Sequence, residues 1–156
     1  MALFAVLMSA TLIPASVTGQ ENPSPQNSGP RLEGTWITEV TVHSCQTGAI
    51  IRTFQSITTF NFGGTMIDST SGIPQAMKTP GQGVWSHVTG NSYRYSFGSF
   101  GFDAVGNFTG ATKITGEATL NSEGSQLMST AITRVYDPSG HLVATLCPTT
   151  RGTRFE

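Results

Sequence analysis

Residues 107–146 read NFTGATKITGEATL-NSEG-SQLMSTAITRVY-DPSG-HLVATL, and this stretch decides the fold. Three β-rich runs are separated by two four-residue segments, which begin with Asn121 and Asp137 and end in glycine. Asx at the first position and Gly at the last are typical of tight turns, and Pro138 presets a backbone dihedral in the second of them. The stretch therefore predicts three antiparallel strands joined by short turns.

The same punctuation continues toward the N-terminus, where Gly63-Gly64 has the spacing of a tight hairpin. No amphipathic helix interrupts the pattern. The β-rich runs are 34–45, 50–62, 65–70, 83–89, 92–103, 107–120, 125–137 and 141–155. Strands joined by short turns pair with their sequence neighbours, and a sheet this long closes on itself and so removes its edges. We predict an all-β fold, an eight-stranded up-and-down antiparallel barrel with first and last strands paired; an open sandwich is the alternative.

The two cysteines provide a second argument for closure. Cys45 ends the first predicted strand and Cys147 lies in the last. If they lie directly opposite each other, the apolar faces of the two strands coincide: Trp36, Val40 and Val42 in one, Leu142, Ala144 and Leu146 in the other. In an oxidising compartment a Cys45–Cys147 disulfide is expected, closing a loop of about 100 residues. Two free thiols are the alternative.

Composition excludes several classes of protein. Only 11% of the 156 residues are charged and the formal net charge is -1, so neither a disordered acidic or basic chain nor a cationic nucleic-acid binder is expected. His43, His87 and His141 lack metal-ligand spacing, and we expect no metal and no cofactor. There is no Gly-x-Ser-x-Gly elbow and no phosphate-binding loop, so no catalytic residue is assigned.

The first thirty residues resemble an export leader and a linker. Ala2 to Ile13 is almost wholly apolar but too short to span a bilayer, and small residues precede Gln20. We interpret 1–19 as a secretory signal peptide, 20–30 as a flexible Pro/Ser/Asn spacer, and 31–156 as the barrel domain; a buried hydrophobic segment is the alternative for the first of these. The protein is expected to be secreted or periplasmic, without an integral membrane segment after signal removal.

Gly34-Thr35-Trp36 at the start of an eight-stranded meander resembles the Gly-x-Trp signature of the lipocalin-like (calycin) barrels. The resemblance implies that Trp36 closes one end of the barrel and that Arg154, from the last strand, packs over it. The helix that lipocalins place before the last strand is missing, because the Asp137–Gly140 turn leaves no room for it. The chain is also similar to small secreted bacterial proteins without an assigned activity.

Aromatic residues indicate an interior surface. Phe54, Phe60 and Phe62 share one face of the second strand, and Tyr93, Tyr95 and Phe97 share one face of the fifth. Arg52 is the candidate to hold a ligand carboxylate at the mouth of a ligand site. The candidate walls of that site are Phe54, Phe60, Trp85, Tyr93, Tyr95 and Phe97. A solvated Arg52 is the alternative. An eight-stranded barrel either fills its interior or holds one small ligand, and both outcomes stay open.

Two local features add to this picture. Glycines in the fifth and sixth strands, among them Gly98 and Gly116, are expected to leave interior volume unfilled, and a parity change near Gly98 predicts a β-bulge. The longest connection, 69–82, is a candidate lid in which Ile73, Ala76 and Met77 cover an opening with Lys78 at its rim; a plain disordered loop is the alternative.

The sequence thus favours a secreted, non-catalytic barrel that binds a small, largely apolar molecule. One alternative is a barrel-type cyclase or isomerase, which would hold a flexible substrate in a reactive conformation and needs few catalytic groups. A second is an envelope interaction module with a packed core and an exposed apolar patch.

Overall fold

Eight antiparallel strands close into one barrel in sequence order, as the computed structural model shows for residues 31–155. The strands are β1 Gly34–Ser44, β2 Ile50–Phe60, β3 Thr65–Thr70, β4 Gly81–Thr89, β5 Ser92–Phe102, β6 Phe108–Leu120, β7 Gln126–Tyr136 and β8 Leu142–Arg154. The predicted all-β, up-and-down barrel is confirmed, with strand ends within two residues of the expected runs. The predicted signal peptide and spacer lie outside the described residues.

The turns form as their residue types predict. The Asp137 carboxylate accepts the backbone N–H groups of Ser139 and His141, each at 2.9 Å, and these bonds hold the pKa of that carboxyl below its ordinary value. Gly140 has a φ of 84°, a conformation that L-residues avoid. In the preceding turn the Asn121 side-chain oxygen accepts the backbone N–H groups of Ser125 and Gln126. Local side-chain chemistry therefore sets the strand order.

Closure between β1 and β8 uses a register two residues away from the predicted one. Cys147 pairs with His43, and Trp36 pairs directly with Arg154. Side chains alternate with a period of two, so a shift of two keeps each residue on its predicted face and changes only its cross-strand partner. Cys45 lies one residue beyond β1 and still forms the disulfide with Cys147, at a Cα–Cα distance of 5.1 Å.

One end of the barrel is filled. Leu32 and Trp36 are fully buried there, and the Trp36 indole N–H donates to the Leu32 carbonyl at 2.9 Å. Phe60, Met66, Leu120 and Leu127 complete this apolar cluster. The core therefore sits at the end where the chain enters the barrel.

Two local expectations are wrong. The register between β5 and β6 is continuous through Gly98 and shifts only between Gly101 and Phe102, so no bulge occurs near Gly98. Ser99 is buried and Phe100 is 57% exposed, as unbroken alternation requires. Phe62 lies past the end of β2 and is 88% exposed, because the hairpin turn carries it away from the interior.

Residues 31–155 contain one helical element, a single 3-10 turn at Gln75–Met77. No helix in this range has the length and apolar character needed to cross a membrane.

Candidate binding cavity

Above the filled end, the barrel encloses a cavity of about 360 Å³. This volume lies within the range of roughly 300–1,000 Å³ that small-molecule sites occupy. The inward faces of β1, β2 and β3 and of β5 to β8 line it, together with the loop 71–80. The interior therefore has room for one small ligand.

Four of the predicted wall residues lie on the cavity surface: Phe54, Phe60, Tyr95 and Phe97. Trp85 and Tyr93 do not line the cavity but pack with the apolar cluster at the filled end. The Trp85 ring packs edge-on against Phe60 at 6.1 Å and against Tyr93 at 5.8 Å, between ring centres. These two aromatic residues support the wall and do not face the cavity.

Glycines shape the cavity by making room for aromatic rings. Three of the inward rings lie against a glycine on a neighbouring segment, and a Cβ on that glycine would come within 2.6–2.7 Å of the ring. The pairs are Phe54 with Gly72, Tyr95 with Gly116 and Phe97 with Gly81. The expectation that Gly116 leaves volume unfilled needs correction, because Tyr95 occupies that space. Each glycine instead lets a ring approach its backbone more closely than a Cβ would allow.

Arg52 lies at the mouth. Its Nη1 donates to the Gly72 carbonyl at 3.0 Å, and its guanidinium carbon lies 5.1 Å from the centre of the Phe54 ring. Arg52 lines the cavity but is exposed, and its remaining N–H groups are available to a ligand.

The loop 71–80 lies across this end of the barrel. The Ser71 N–H donates to the Gln55 carbonyl of β2 at 2.8 Å, and the Thr79 N–H donates to the Phe100 carbonyl of β5 at 3.0 Å. Backbone hydrogen bonds thus hold the loop to β2 at one end and to β5 at the other. Ile73 and Lys78 line the cavity as the lid hypothesis requires, whereas Ala76 is exposed and Met77 does not reach the cavity.

Sequence reasoning missed Asp68, a carboxyl on the cavity wall that is only 8% exposed. The Thr58 hydroxyl donates to its Oδ1 at 2.8 Å. Burial raises the pKa of Asp68 above its ordinary value, and the Thr58 bond and the positive charge of Lys78 oppose this only in part. The available signal was parity, because Asp68 shares the inward face of β3 with Met66 and Thr70.

Lys78 approaches the same part of the cavity from the loop. Its Nζ donates to the Thr79 carbonyl at 3.1 Å. Burial lowers the pKa of Lys78, and the nearby Asp68 charge acts in the opposite direction. The two groups influence each other electrostatically, yet no ion pair joins them; the ion pairs within residues 31–155 are Arg94–Glu117 and His141–Asp137.

Hydroxyl groups complete the polar part of the lining. The Tyr95 and Ser129 hydroxyls are 2.9 Å apart and buried, and burial raises the pKa of Tyr95. Every buried side-chain nitrogen and oxygen in the described range has a hydrogen-bond partner. No cluster of three or more His, Cys, Asp and Glu side chains there could hold a metal ion. The chemistry of the lining is therefore that of hydroxyls, one carboxyl, one ammonium and, at the mouth, one guanidinium on apolar walls.

These features define the class: an eight-stranded antiparallel β-barrel with an internal cavity. Compared with known proteins, the sequence matches no model of a protein family and no curated protein.

Proposed function

We propose that this protein binds a small, largely apolar molecule inside the barrel and does not transform it. The observation that carries the proposal is the cavity of about 360 Å³, whose surface is mostly apolar. Phe54, Phe60, Tyr95 and Phe97 would contact the apolar body of the ligand. The resemblance of Gly34-Thr35-Trp36 to the lipocalin signature supports the same function.

A neutral fluorescent probe, N-phenyl-1-naphthylamine, tests this proposal. Its emission rises in apolar surroundings, and we expect saturable binding to the wild type. Ala131 lines the cavity, so Ala131→Leu should weaken binding about tenfold by occupying ligand space. Ala104 is exposed in the turn between β5 and β6 and does not line the cavity, so Ala104→Leu is the matched control that should bind as the wild type does. A wild type that binds no probe, or a folded Ala131→Leu that binds it normally, contradicts the proposal.

Native and denaturing mass spectra of the protein exported from its own host would identify the natural ligand. Additional mass that appears only in the native spectrum is the expected result. The disulfide supports an oxidising compartment, and we propose a secreted or periplasmic location.

The barrel-type enzyme is the second candidate, and Asp68 is the observation that favours it. A buried carboxyl with a raised pKa inside a cavity is suited to general acid or base chemistry. An arginine that met a tyrosine hydroxyl inside the barrel would also favour catalysis, but Arg52 donates to the Gly72 carbonyl and the Tyr95 hydroxyl is bonded to that of Ser129. Because a cyclase or isomerase leaves the mass unchanged, the test is chromatographic: conversion of the bound molecule to an isomer with a new retention time, lost in Asp68→Asn, would establish the enzyme and displace the binding function.

A further inference from the structure

We propose that Asp68 and Lys78 select the polar end of the ligand, and that this end is an uncharged group that both donates and accepts hydrogen bonds, such as a primary amide. This inference rests on the proposed binding function and names the class of ligand: an apolar body with one amide-like head.

The position of the two side chains carries the argument. Asp68 projects from β3, while Lys78 comes from the loop that crosses the end of the barrel, and both lie on the cavity surface. No ion pair joins them in residues 31–155, so each of the two polar groups keeps hydrogen-bonding capacity for a ligand. The Asp68 carboxylate retains acceptor capacity beyond its bonds from Thr58 and Ser56, and the Lys78 ammonium has three N–H donors, one of which binds Thr79.

Charge favours a neutral head over an ionised one. Asp68 and Lys78 have opposite charges, so each ligand ion that one of them attracts is repelled by the other: an ammonium by Lys78 and a carboxylate by Asp68, although Arg52 at the mouth would attract the carboxylate. Either ion would also lose its hydration in an apolar cavity, which is costly. An amide donates its N–H to Asp68 and accepts from Lys78 through its carbonyl, so it satisfies both groups without a net charge. Burial disfavours the charged form of each residue, since it raises the pKa of Asp68 and lowers that of Lys78. Hydrogen bonds from an amide would offset part of that cost.

Three molecules with the same eight-carbon chain test the inference: octanamide, octylamine and octanoate. Each competes with N-phenyl-1-naphthylamine for the wild-type protein at neutral pH. We expect octanamide to displace the probe at a concentration about tenfold lower than the other two, the ratio that one or two net hydrogen bonds provide.

Two variants should redirect this preference in opposite ways. Asp68→Asn removes the repulsion of anions and should make octanoate the strongest competitor. Lys78→Met removes the repulsion of cations and should do the same for octylamine. The exposed exterior residues Glu117 and Lys113 offer matched controls, since Glu117→Gln and Lys113→Met change the net charge equally and should leave the order unchanged.

The outcomes separate this inference from the binding function. If the fluorescent probe binds but the three competitors act equally, or if their order persists in folded Asp68→Asn and Lys78→Met, the head group lies elsewhere and the inference is wrong. If the wild type binds none of the molecules, the binding function itself fails and the inference fails with it.

Discussion

The guanidinium carbon of Arg154 lies 4.5 Å from the centre of the Trp36 ring, and the two residues are direct partners across the β1–β8 closure. Arg154 also donates to the carbonyls of Gly124 and Glu33, each at 2.8 Å, and to that of Arg31. One side chain thus connects the segment that precedes β1, the turn between β6 and β7, and the pairing of β1 with β8. A cation over an indole face adds an attraction of about 0.5–2 kcal/mol.

Trp36→Ala should lower the free energy of unfolding by about 3–5 kcal/mol, because it removes a fully buried ring from the closed end of the barrel. Urea denaturation followed by circular dichroism measures the change. Phe62, which is 88% exposed, provides the control, and Phe62→Ala should stay near the wild type. Equal midpoints for wild type and Trp36→Ala would show that Trp36 does not hold the barrel closed.

Arg154→Lys keeps the charge but loses the planar group that reaches three carbonyls at once. We expect the free energy of unfolding to fall by about 1–3 kcal/mol, the cost of leaving such acceptors unpaired. The exposed Arg151 lies on the same strand, and Arg151→Lys should have little effect. The two variants are compared by the same denaturation experiment; matching losses would argue against a special role for Arg154.

Cys45 and Cys147 are 102 residues apart, so their disulfide constrains most of the unfolded chain. Cys45→Ala with Cys147→Ala should destabilise the protein by up to about 4–5 kcal/mol in the chain-entropy model. Thermal unfolding of the wild type with and without a reductant gives the same comparison without substitution. A melting temperature that neither change lowers would exclude this contribution.

Asp68→Asn should stabilise the protein near neutral pH. Burial raises the folded-state pKa of Asp68, so between the unfolded and folded pKa values the native state holds more protons than the unfolded state. The free energy of unfolding therefore falls as pH rises through that window, and Asn removes this loss. We expect a higher melting temperature than that of the wild type at about pH 7, with a gain that fades toward about pH 3.

Asp103 provides a control of opposite sign for that experiment. Hydrogen bonds from Asn107 hold the pKa of Asp103 below its ordinary value, so its contribution is present at neutral pH and is lost as pH falls. Asp103→Asn should lower the melting temperature near neutrality and not at acidic pH. If both variants show the same pH dependence, the buried state of Asp68 does not govern its effect.

Export should remove residues 1–19, so the mature chain is expected to begin at Gln20. The denatured mass of protein recovered from the host medium or periplasm checks this boundary and also the loss of two protons on disulfide formation. A mass that includes the first nineteen residues would show that this segment is not a cleaved signal.

Strand positions, turns and inward faces could be predicted because they depend on local chemistry. Asp137 places its turn through its own hydrogen bonds, and the alternation of Tyr93, Tyr95 and Phe97 indicates a common face before any tertiary contact is known. Asp68 was not predicted, because each face of β3 carries one apolar residue and two polar ones. Met66 lies on the inward face and the exposed Ile67 on the outward face, so hydrophobicity does not identify the inward one.

The sequence by itself determined eight strands, their order, the face of each side chain and the cysteine pair, because turn residues and a period of two act over a few positions. Tertiary structure alone decided the β1–β8 register, since a shift of two preserves every face and changes only the cross-strand partners, such as Arg154 opposite Trp36. It also decided that the interior holds a cavity and that Lys78 and Asp68 both line it. Those results depend on contacts between residues far apart in the sequence: aromatic rings against glycines, and the loop 71–80 across the end of the barrel.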